Sequence, residues 1–307
     1  MTISIRPFVW NDLQALLELA YPDDKENPKQ TDRMRSRLTA ELHQPRSDPA
    51  RNILLAERNG RLIAYAKIDL EINIYRAVLW IHVEPKNRRT GVASALFDVV
   101  SDYSKTVGVK KLHVPVHVHD PATAAFLSAS GMRPVRNYWR MRTTIANGNN
   151  FFMASRHLNP RVKIHPFRPD TDMELLTDLQ NLAFSDSWGF SPNSVEEVRK
   201  KFDMPGYGPE GVIFLALEDE FVAYAWTAMP PGGQADLGEI SMTGVSPDHR
   251  VKGLGRQVVS AAIRNLAQRG AYNVELEVNS DNEAALSLYG KFGFQRVSEI
   301  VWYELRL

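Results

Sequence analysis

Apolar positions along the chain follow two periods, and the order of those periods repeats once. Ile213-Phe-Leu-Ala-Leu217 and Phe221-Val-Ala-Tyr-Ala-Trp226 are apolar runs on either side of the acidic Glu218-Asp219-Glu220, a pattern that predicts a hairpin of two buried strands. Glu239 to Val245 reads as the next strand. After Pro247 the period lengthens: Leu254, Val258, Val259, Ala262, Ile263 and Leu266 fall at helical spacing, and Gly270 is placed to stop the helix. Val274-Glu-Leu-Glu-Val278 alternates as a strand, and Asn282 can then cap a helix with the apolar face Ala285, Leu288, Tyr289 and Phe292. The first half repeats the scheme, with Val92, Leu96, Val99, Val100 and Tyr103 on a helix that ends at Gly108. Each half thus reads strand, helices, strands, helix, strand, helix, strand, which is an α/β fold on a mixed sheet (α+β in its mixture of strand directions).

The repetition extends to single residues. Ile5, Pro7 and Phe8 recur as Ile164, Pro166 and Phe167, and Ala64-Tyr65-Ala66 as Ala223-Tyr224-Ala225, at an offset of 159. Farther on the offset is 162: Val83, Pro85, Arg88, Gly91, Gly108, Val116, Gly131 and Val135 match Val245, Pro247, Arg250, Gly253, Gly270, Val278, Gly293 and Val297. Three residues are therefore inserted between Ala225 and Val245, and Pro230-Pro231-Gly232-Gly233 offers the turn chemistry to hold them. Duplication explains a length of 307 residues, about twice the roughly 100–200 of an ordinary domain. Two tandem units are expected, residues 1–146 and 161–307, joined by a linker over 147–160 that opens on Asn147-Gly148-Asn149-Asn150.

Composition narrows the chemistry. Hydrophobic residues at 44% and charged residues at 24% exclude a disordered, collagen-like or coiled-coil chain. No apolar run approaches the ~18 residues of a membrane span, and the first residues lack the basic-then-apolar order of a secretory signal, so a soluble, cytoplasmic protein without a membrane partner is expected. The absence of cysteine excludes disulfides, thiolate metal sites and a cysteinyl acyl-enzyme; any group transfer is direct or uses another nucleophile. A net charge of +1 gives no overall field for nucleic acid. The halves differ, however: residues 1–150 hold 22 Lys and Arg against 15 Asp and Glu, net +7, and residues 151–307 hold 15 against 21, net −6. That asymmetry reads either as surface drift with attraction between the halves or as an acidic half that favours a cationic substrate.

The segment Val245-Ser-Pro-Asp-His-Arg250-Val251-Lys252-Gly253-Leu254-Gly255-Arg256 joins a strand to a helix and favours anions. A helix N-terminus leaves N–H groups unpaired and carries partial positive charge, and two glycines let a phosphate approach the backbone. Arg250, Lys252 and Arg256 add cations. No Gly-Lys-Ser/Thr follows, which rules out a Walker loop, and a dinucleotide fingerprint lacks its third glycine at position 258. A tight strand-to-helix turn that binds nothing is the alternative.

The stretch from Gly238-Glu239-Ile-Ser-Met-Thr243 through Arg250-Val-Lys-Gly253-Leu-Gly255-Arg256, followed by Asn279-Ser-Asp-Asn282 and Tyr289-Gly-Lys-Phe-Gly293-Phe294, resembles the GCN5-related N-acetyltransferase (GNAT) family. The resemblance covers the later two-thirds of each half. Two such units over about 300 residues are similar to the tandem arrangement of the mycothiol synthases. It implies acetyl-CoA as co-substrate, no metal, and acetyl transfer to a primary amine of a small molecule by the C-terminal half. It also implies that the backbone amides of Arg250 to Arg256 wrap the pyrophosphate, that pantetheine lies along the strand ending at Val245, and that the acetyl carbonyl meets N–H groups near Thr243, Gly244 and Val245. Tyr289 matches the tyrosine that protonates the departing thiolate, Asn282 the asparagine that touches pantetheine, and Glu239 the carboxylate that takes the amine proton. The chemistry agrees: attack on a thioester needs a neutral amine, and charge grows on a carbonyl oxygen that fixed N–H groups stabilise. Around Phe184-Ser-Asp186-Ser-Trp188-Gly-Phe190 the family places acceptor-binding residues; Asp186, Trp188 and Phe190 are the candidates, with simple packing of the loop as the alternative.

Across the 162 offset Arg88 and Gly91 persist and suggest that the first half still holds CoA, but Leu127 stands where Tyr289 does, Asp120 where Asn282 does, and Glu239 falls on Ala77. The first half is expected to be a degenerate copy. Its His113, His117 and His119 share a strand face by alternation, yet one extended strand rarely brings three ligands within the ~2.0–2.2 Å that zinc needs, so imidazoles lining a polar cleft are expected instead. A catalytically silent acyl-CoA-binding, scaffold or sensor protein is the alternative to an enzyme.

Overall fold

The computed structural model describes residues 3–22, 28–145, 159–229, 236–250 and 253–307. The chain groups into two compact units, Met1–Arg136 with Ile300–Leu307, and Asn137–Glu299. They are not the contiguous halves expected from the repeat, because the last strand of each half completes the other unit's sheet. Most of the expected linker, 147–158, and the Pro230-Pro231-Gly232-Gly233 turn lie outside the described residues.

In unit 1, strand β1 (Ile3–Pro7) leads through helices α1 (Leu13–Ala20), α2 (Pro28–Leu42) and the short α3 (Pro49–Asn52) to strands β2 (Ile53–Arg58), β3 (Arg61–Glu71) and β4 (Arg76–Val83). Helix α4 (Val92–Thr106), strand β5 (Lys111–His117) and helix α5 (Pro121–Ala129) follow, then β6 (Arg133–Thr144), which passes into unit 2. Unit 2 continues with β7 (Val162–Pro166), α6 (Met173–Phe184), α7 (Val195–Lys201), β8 (Val212–Leu217), β9 (Glu220–Ala228), β10 (Leu237–Val245), α8 (Leu254–Gln268), β11 (Asn273–Asn279), α9 (Glu283–Lys291) and β12 (Gln295–Arg306). The unit 1 sheet has the order β1-β2-β3-β4-β5-β12 and the unit 2 sheet β6-β11-β10-β9-β8-β7.

The pairing explains the exchanged strands. From Ile300 to Arg306, β12 runs antiparallel to β5, and from Tyr138 to Thr144, β6 runs antiparallel to β11. Backbone hydrogen bonds carry no sequence signature, so either closing strand satisfies either sheet edge on paper. Within each unit the central pair, β4 with β5 and β10 with β11, is parallel, and the other pairs are antiparallel.

Each sheet buries both faces. In unit 2, Val258, Val259, Ile263 and Leu266 of α8 and Tyr289 of α9 pack on Ile240, Val274 and Leu276; on the opposite face Leu176 and Leu179 of α6 and Val198 of α7 pack on Phe214, Tyr224 and Trp226. Unit 1 repeats this, with Leu96 and Val100 of α4 on Leu79 and Leu112, and Leu16, Leu17 and Leu38 of α1 and α2 on Ile53 and Leu55. The helical spacing read from Leu254 to Leu266 is thus the buried stripe of α8. Among the described residues no helix is long and apolar enough to cross a membrane.

Candidate active site

Unit 2 opens a wedge in the middle of its sheet. The parallel ladder between β10 and β11 runs only from Leu237 opposite Asn273 to Ile240 opposite Leu276. Beyond that point β10 continues to Val245 on β9, and β11 continues to Asn279 on β6. The inner edges of the two strands therefore carry peptide groups with no strand opposite, on a stretch that includes Thr243, Gly244 and Val245.

A β-bulge sits where the wedge begins. Ile240 pairs with Thr227 and Met242 with Trp226, which leaves Ser241 as the extra residue. The bulge switches the faces: Ile240 joins the core under α8, whereas Met242 packs with the core under α6 and α7. In unit 1, β4 pairs with β3 without interruption and opens from β5 after Val78 opposite His113. Both units have the wedge; only unit 2 has the bulge.

This register corrects one equivalence. Val245 pairs with Ala223 as Val83 pairs with Ala64, but beyond the bulge Glu239 lies opposite Glu275 as Val78 lies opposite His113. One inserted residue is thus Ser241, and the counterpart of Glu239 is Val78 rather than Ala77. Val78 is apolar and buried, so the counterpart still lacks a carboxyl group.

Glu239 is half-buried and accepts a hydrogen bond from the Tyr207 hydroxyl at 3.3 Å. Burial holds its pKa above the usual carboxylate value, opposed by the charge of Lys201. Tyr289, on α9, is 8% exposed, and its hydroxyl lies 3.4 Å from Thr243 Oγ1 on the wedge edge. Burial raises the phenol above its ordinary pKa, and the bond to Thr243 opposes this, so the hydroxyl keeps its proton at neutral pH and can donate it. Gly244 is required by space: a Cβ there would lie 2.6 Å from both Ala183 Cβ and Tyr224 Cε1.

Helix α8 begins at Gly253 with φ +80°, and no side chain caps it. A Cβ at Gly253 would meet nothing within 4 Å, so the left-handed backbone, not crowding, calls for glycine. Uncapped first-turn N–H groups are free to donate to an anion. Gly91 repeats the arrangement at the start of α4, with φ +84° and no cap. Leu254 anchors the turn in the core; Gly255 keeps α8 close to Leu288, which a Cβ would approach to 3.2 Å; Arg256 is half-buried. Val251 and Lys252 lie outside the described residues. Asn282 caps α9 by accepting from the Ala285 N–H at 3.0 Å. In unit 1, exposed Arg88 donates to the Val83 carbonyl at 3.3 Å.

Two expected binding groups hold each other. The Arg250 guanidinium donates to Asp186 at 2.5 and 3.1 Å and to the Ala183 carbonyl at 2.8 Å. Arg250 keeps the Asp186 carboxyl below the usual carboxylate range, and the pair ties the turn before α8 to the end of α6. The rest of the loop packs on aromatic neighbours: Phe190 stacks on Phe184 at 5.9 Å and Trp188 lies 6.4 Å from Tyr138. In unit 1, His113 is buried and bonded to Glu304 at 2.9 Å, His117 is exposed at the strand end, and His119 lies beyond β5.

Sequence reading missed Ser241, Tyr207 and Lys201. The signal for Ser241 is the change of offset from 159 to 162, one residue of which falls within β10. Tyr207 and Lys201 lie in a segment with no repeat counterpart to mark them.

The family model of the acetyltransferase (GNAT) family matches residues 10–132 and again 173–294. Mycothiol acetyltransferase of Catenulispora acidiphila is 29% identical over 255 residues, 82% of this chain and 79% of the relative; that of Paenarthrobacter aurescens is 31% identical over 231 residues, 74% and 69% respectively. Among solved structures, a tandem GNAT protein from the clavulanic acid biosynthesis pathway superposes with TM-score 0.75 at 16% identity, covering 99% of this chain and 98% of that one. A GCN5-related N-acetyltransferase from Sphaerobacter thermophilus gives 0.73 at 17%, covering 99% and 95%. Two matches to one family model, falling on two units with the same strand order, make this chain a member of the acetyltransferase (GNAT) family in tandem form.

Proposed function

We propose that unit 2 transfers acetyl from acetyl-CoA to a primary amine of a small molecule, and that unit 1 serves as scaffold. The observation that carries this reading is the pairing of Glu239 and Tyr289 with one wedge, at a bulge that unit 1 lacks. Bound acetyl-CoA supplies the activated acetyl group. The uncapped start of α8 at Gly253 would hold its phosphates, and the open edge from Thr243 to Val245 would hold the arm and carbonyl. Glu239 takes a proton from the acceptor's ammonium, and a raised pKa brings it nearer the working pH of a general base. The neutral amine attacks the thioester carbon, the C–N bond forms and the C–S bond breaks; the Tyr289 hydroxyl gives its proton to the leaving sulfur, the second proton shed by the nitrogen restores the phenol, and Glu239 releases its proton to solvent. Holding amine and acetyl donor together is worth about 7–11 kcal/mol in favourable cases, and no covalent enzyme intermediate is needed.

The mycothiol acetyltransferases named above make amines related to mycothiol the first acceptors to test. The experiment is acetyl-CoA consumption against a diverse amine library, with mass spectrometry of the product. An N-acetylated amine is expected; coenzyme binding with no acetylated product across the library would point to a silent acyl-CoA-binding protein.

A further inference from the structure

Lys201, the last residue of α7, has no part in the reading above. Its Nζ donates to Ser241 Oγ at 3.3 Å, the side chain of the bulge residue itself. The same ammonium stands over two rings, 5.2 Å from Tyr207 and 5.0 Å from Trp226. Tyr207 in turn bonds Glu239. An ammonium, two aromatic faces, a phenol and a carboxylate thus form one connected group around the bulge.

The other charges facing Glu239 are engaged elsewhere. On β6, Arg142 is bonded to Glu275, and Arg140 donates to Glu277 at 2.6 Å, so the two neighbouring carboxylates of β11 are matched by two guanidinium groups. Glu277 opposes ionisation of Glu239, whereas Lys201, Arg140 and the Tyr207 hydrogen bond favour it. Among the described residues Lys201 forms no ion pair within 4.0 Å; burial lowers its own pKa, and the charge of Glu239 opposes this, so each of the two groups favours the charged form of the other. Unit 1 offers the contrast: Lys67 also stands over an indole, Trp80, at 5.1 Å, but Asp69 at 3.5 Å and Glu41 at 3.9 Å neutralise it.

We infer that Lys201 is a positioning residue for Glu239: its ammonium, fixed by Ser241 and two aromatic faces beside the bulge, favours the ionised carboxylate. Its role in turnover rests on Glu239 being the proton acceptor. The charge coupling itself does not, and the two are tested apart. Burial alone drives a carboxylate toward its neutral form, in which it accepts no proton; a fixed cation nearby opposes that drift without bonding to the base and blunting it.

The first arm needs no acceptor. Thermal midpoints of the full chain, Lys201→Met, Glu239→Gln and the double variant are compared from acid to alkaline pH, with Lys201→Gln in the same cycle should the methionine variant not fold. A coupling between the positions at neutral pH that vanishes on acidification is expected; additive midpoints at every pH overturn the inference. The second arm uses an amine that the library identifies. In Lys201→Met the acid limb of kcat/KM should move up by about one pH unit, with KM for acetyl-CoA kept and Lys201→Arg restoring the limb. An unmoved limb overturns the positioning role. Coupling without any acetylated amine upholds the charge pair and refutes Glu239 as proton acceptor.

Discussion

The two units share the glycine turn that opens their long helices and differ along the wedge between their central strands. Gly91 and Gly253 start α4 and α8 with nearly the same left-handed backbone, and neither helix has a side-chain cap. Both central strand pairs open into a wedge. Along the wedge, however, Val78 stands for Glu239, Leu127 for Tyr289 and His82 for Gly244, and β4 lacks the bulge. His82 stacks on Tyr65, where Gly244 leaves Tyr224 a close approach. The difference teaches that an uncapped helix begun by a left-handed glycine is a property of the duplicated fold, whereas the carboxyl and phenol groups along the wedge and the bulge beside them belong to one unit.

Glu239→Gln breaks this comparison most severely. A loss of about 10²–10⁴-fold in kcat/KM is expected, and steady-state kinetics with the best amine would read it. Val78→Glu, the reverse exchange, should create no activity in a unit 2-disabled chain. Tyr289→Phe comes next, with kcat lower by about 10²-fold and coenzyme affinity by titration calorimetry unchanged. Leu127, at the matching place in unit 1, likewise has no hydroxyl.

Gly244→His transplants the unit 1 residue. Its Cβ would press on Ala183 and Tyr224, at a cost of about 1–3 kcal/mol that differential scanning calorimetry would register as a Tm lower by several degrees. His82→Gly in unit 1 meets no such crowding in reverse and should cost about 0.5–1 kcal/mol.

The smallest effect is a difference in acid sensitivity. Burial holds the pKa of His113 below 6.5, with Arg76 and Lys111 acting in the same direction and Glu304 against it. The unfolded chain therefore binds more protons than the folded one as pH falls through about 6.5, and unit 1 loses stability there. Burial opposes ionisation of Glu304, but hydrogen bonds from His113 and Arg306 prevail and lower its pKa, which adds a further loss below about pH 4.5. Midpoints measured against pH should show the first loss in the parent chain and not in His113→Asn.

Much of this architecture was legible because it is written in periods and caps. The stripe from Leu254 to Leu266, the Asn282 cap and the repeat itself follow from spacing that local physics enforces. The bulge was half legible: three extra residues were evident, but a strand accepts an extra residue without any special side chain, and Ser241 carries no turn signature. Strand exchange was illegible, since β6 and β12 close their sheets through the backbone. The Arg250–Asp186 pair was missed for another reason. Residues 64 positions apart give no local sign that they meet.

The central claim is the division of labour between the units. Turnover is to be measured with the best amine for the parent chain, for Glu239→Gln/Tyr289→Phe in unit 2 and for Arg88→Ala/Gly91→Ala in unit 1, each checked for folding. The account predicts that the unit 2 variant loses turnover and the unit 1 variant keeps it. Equal loss from both, or turnover that survives the unit 2 changes, would contradict it.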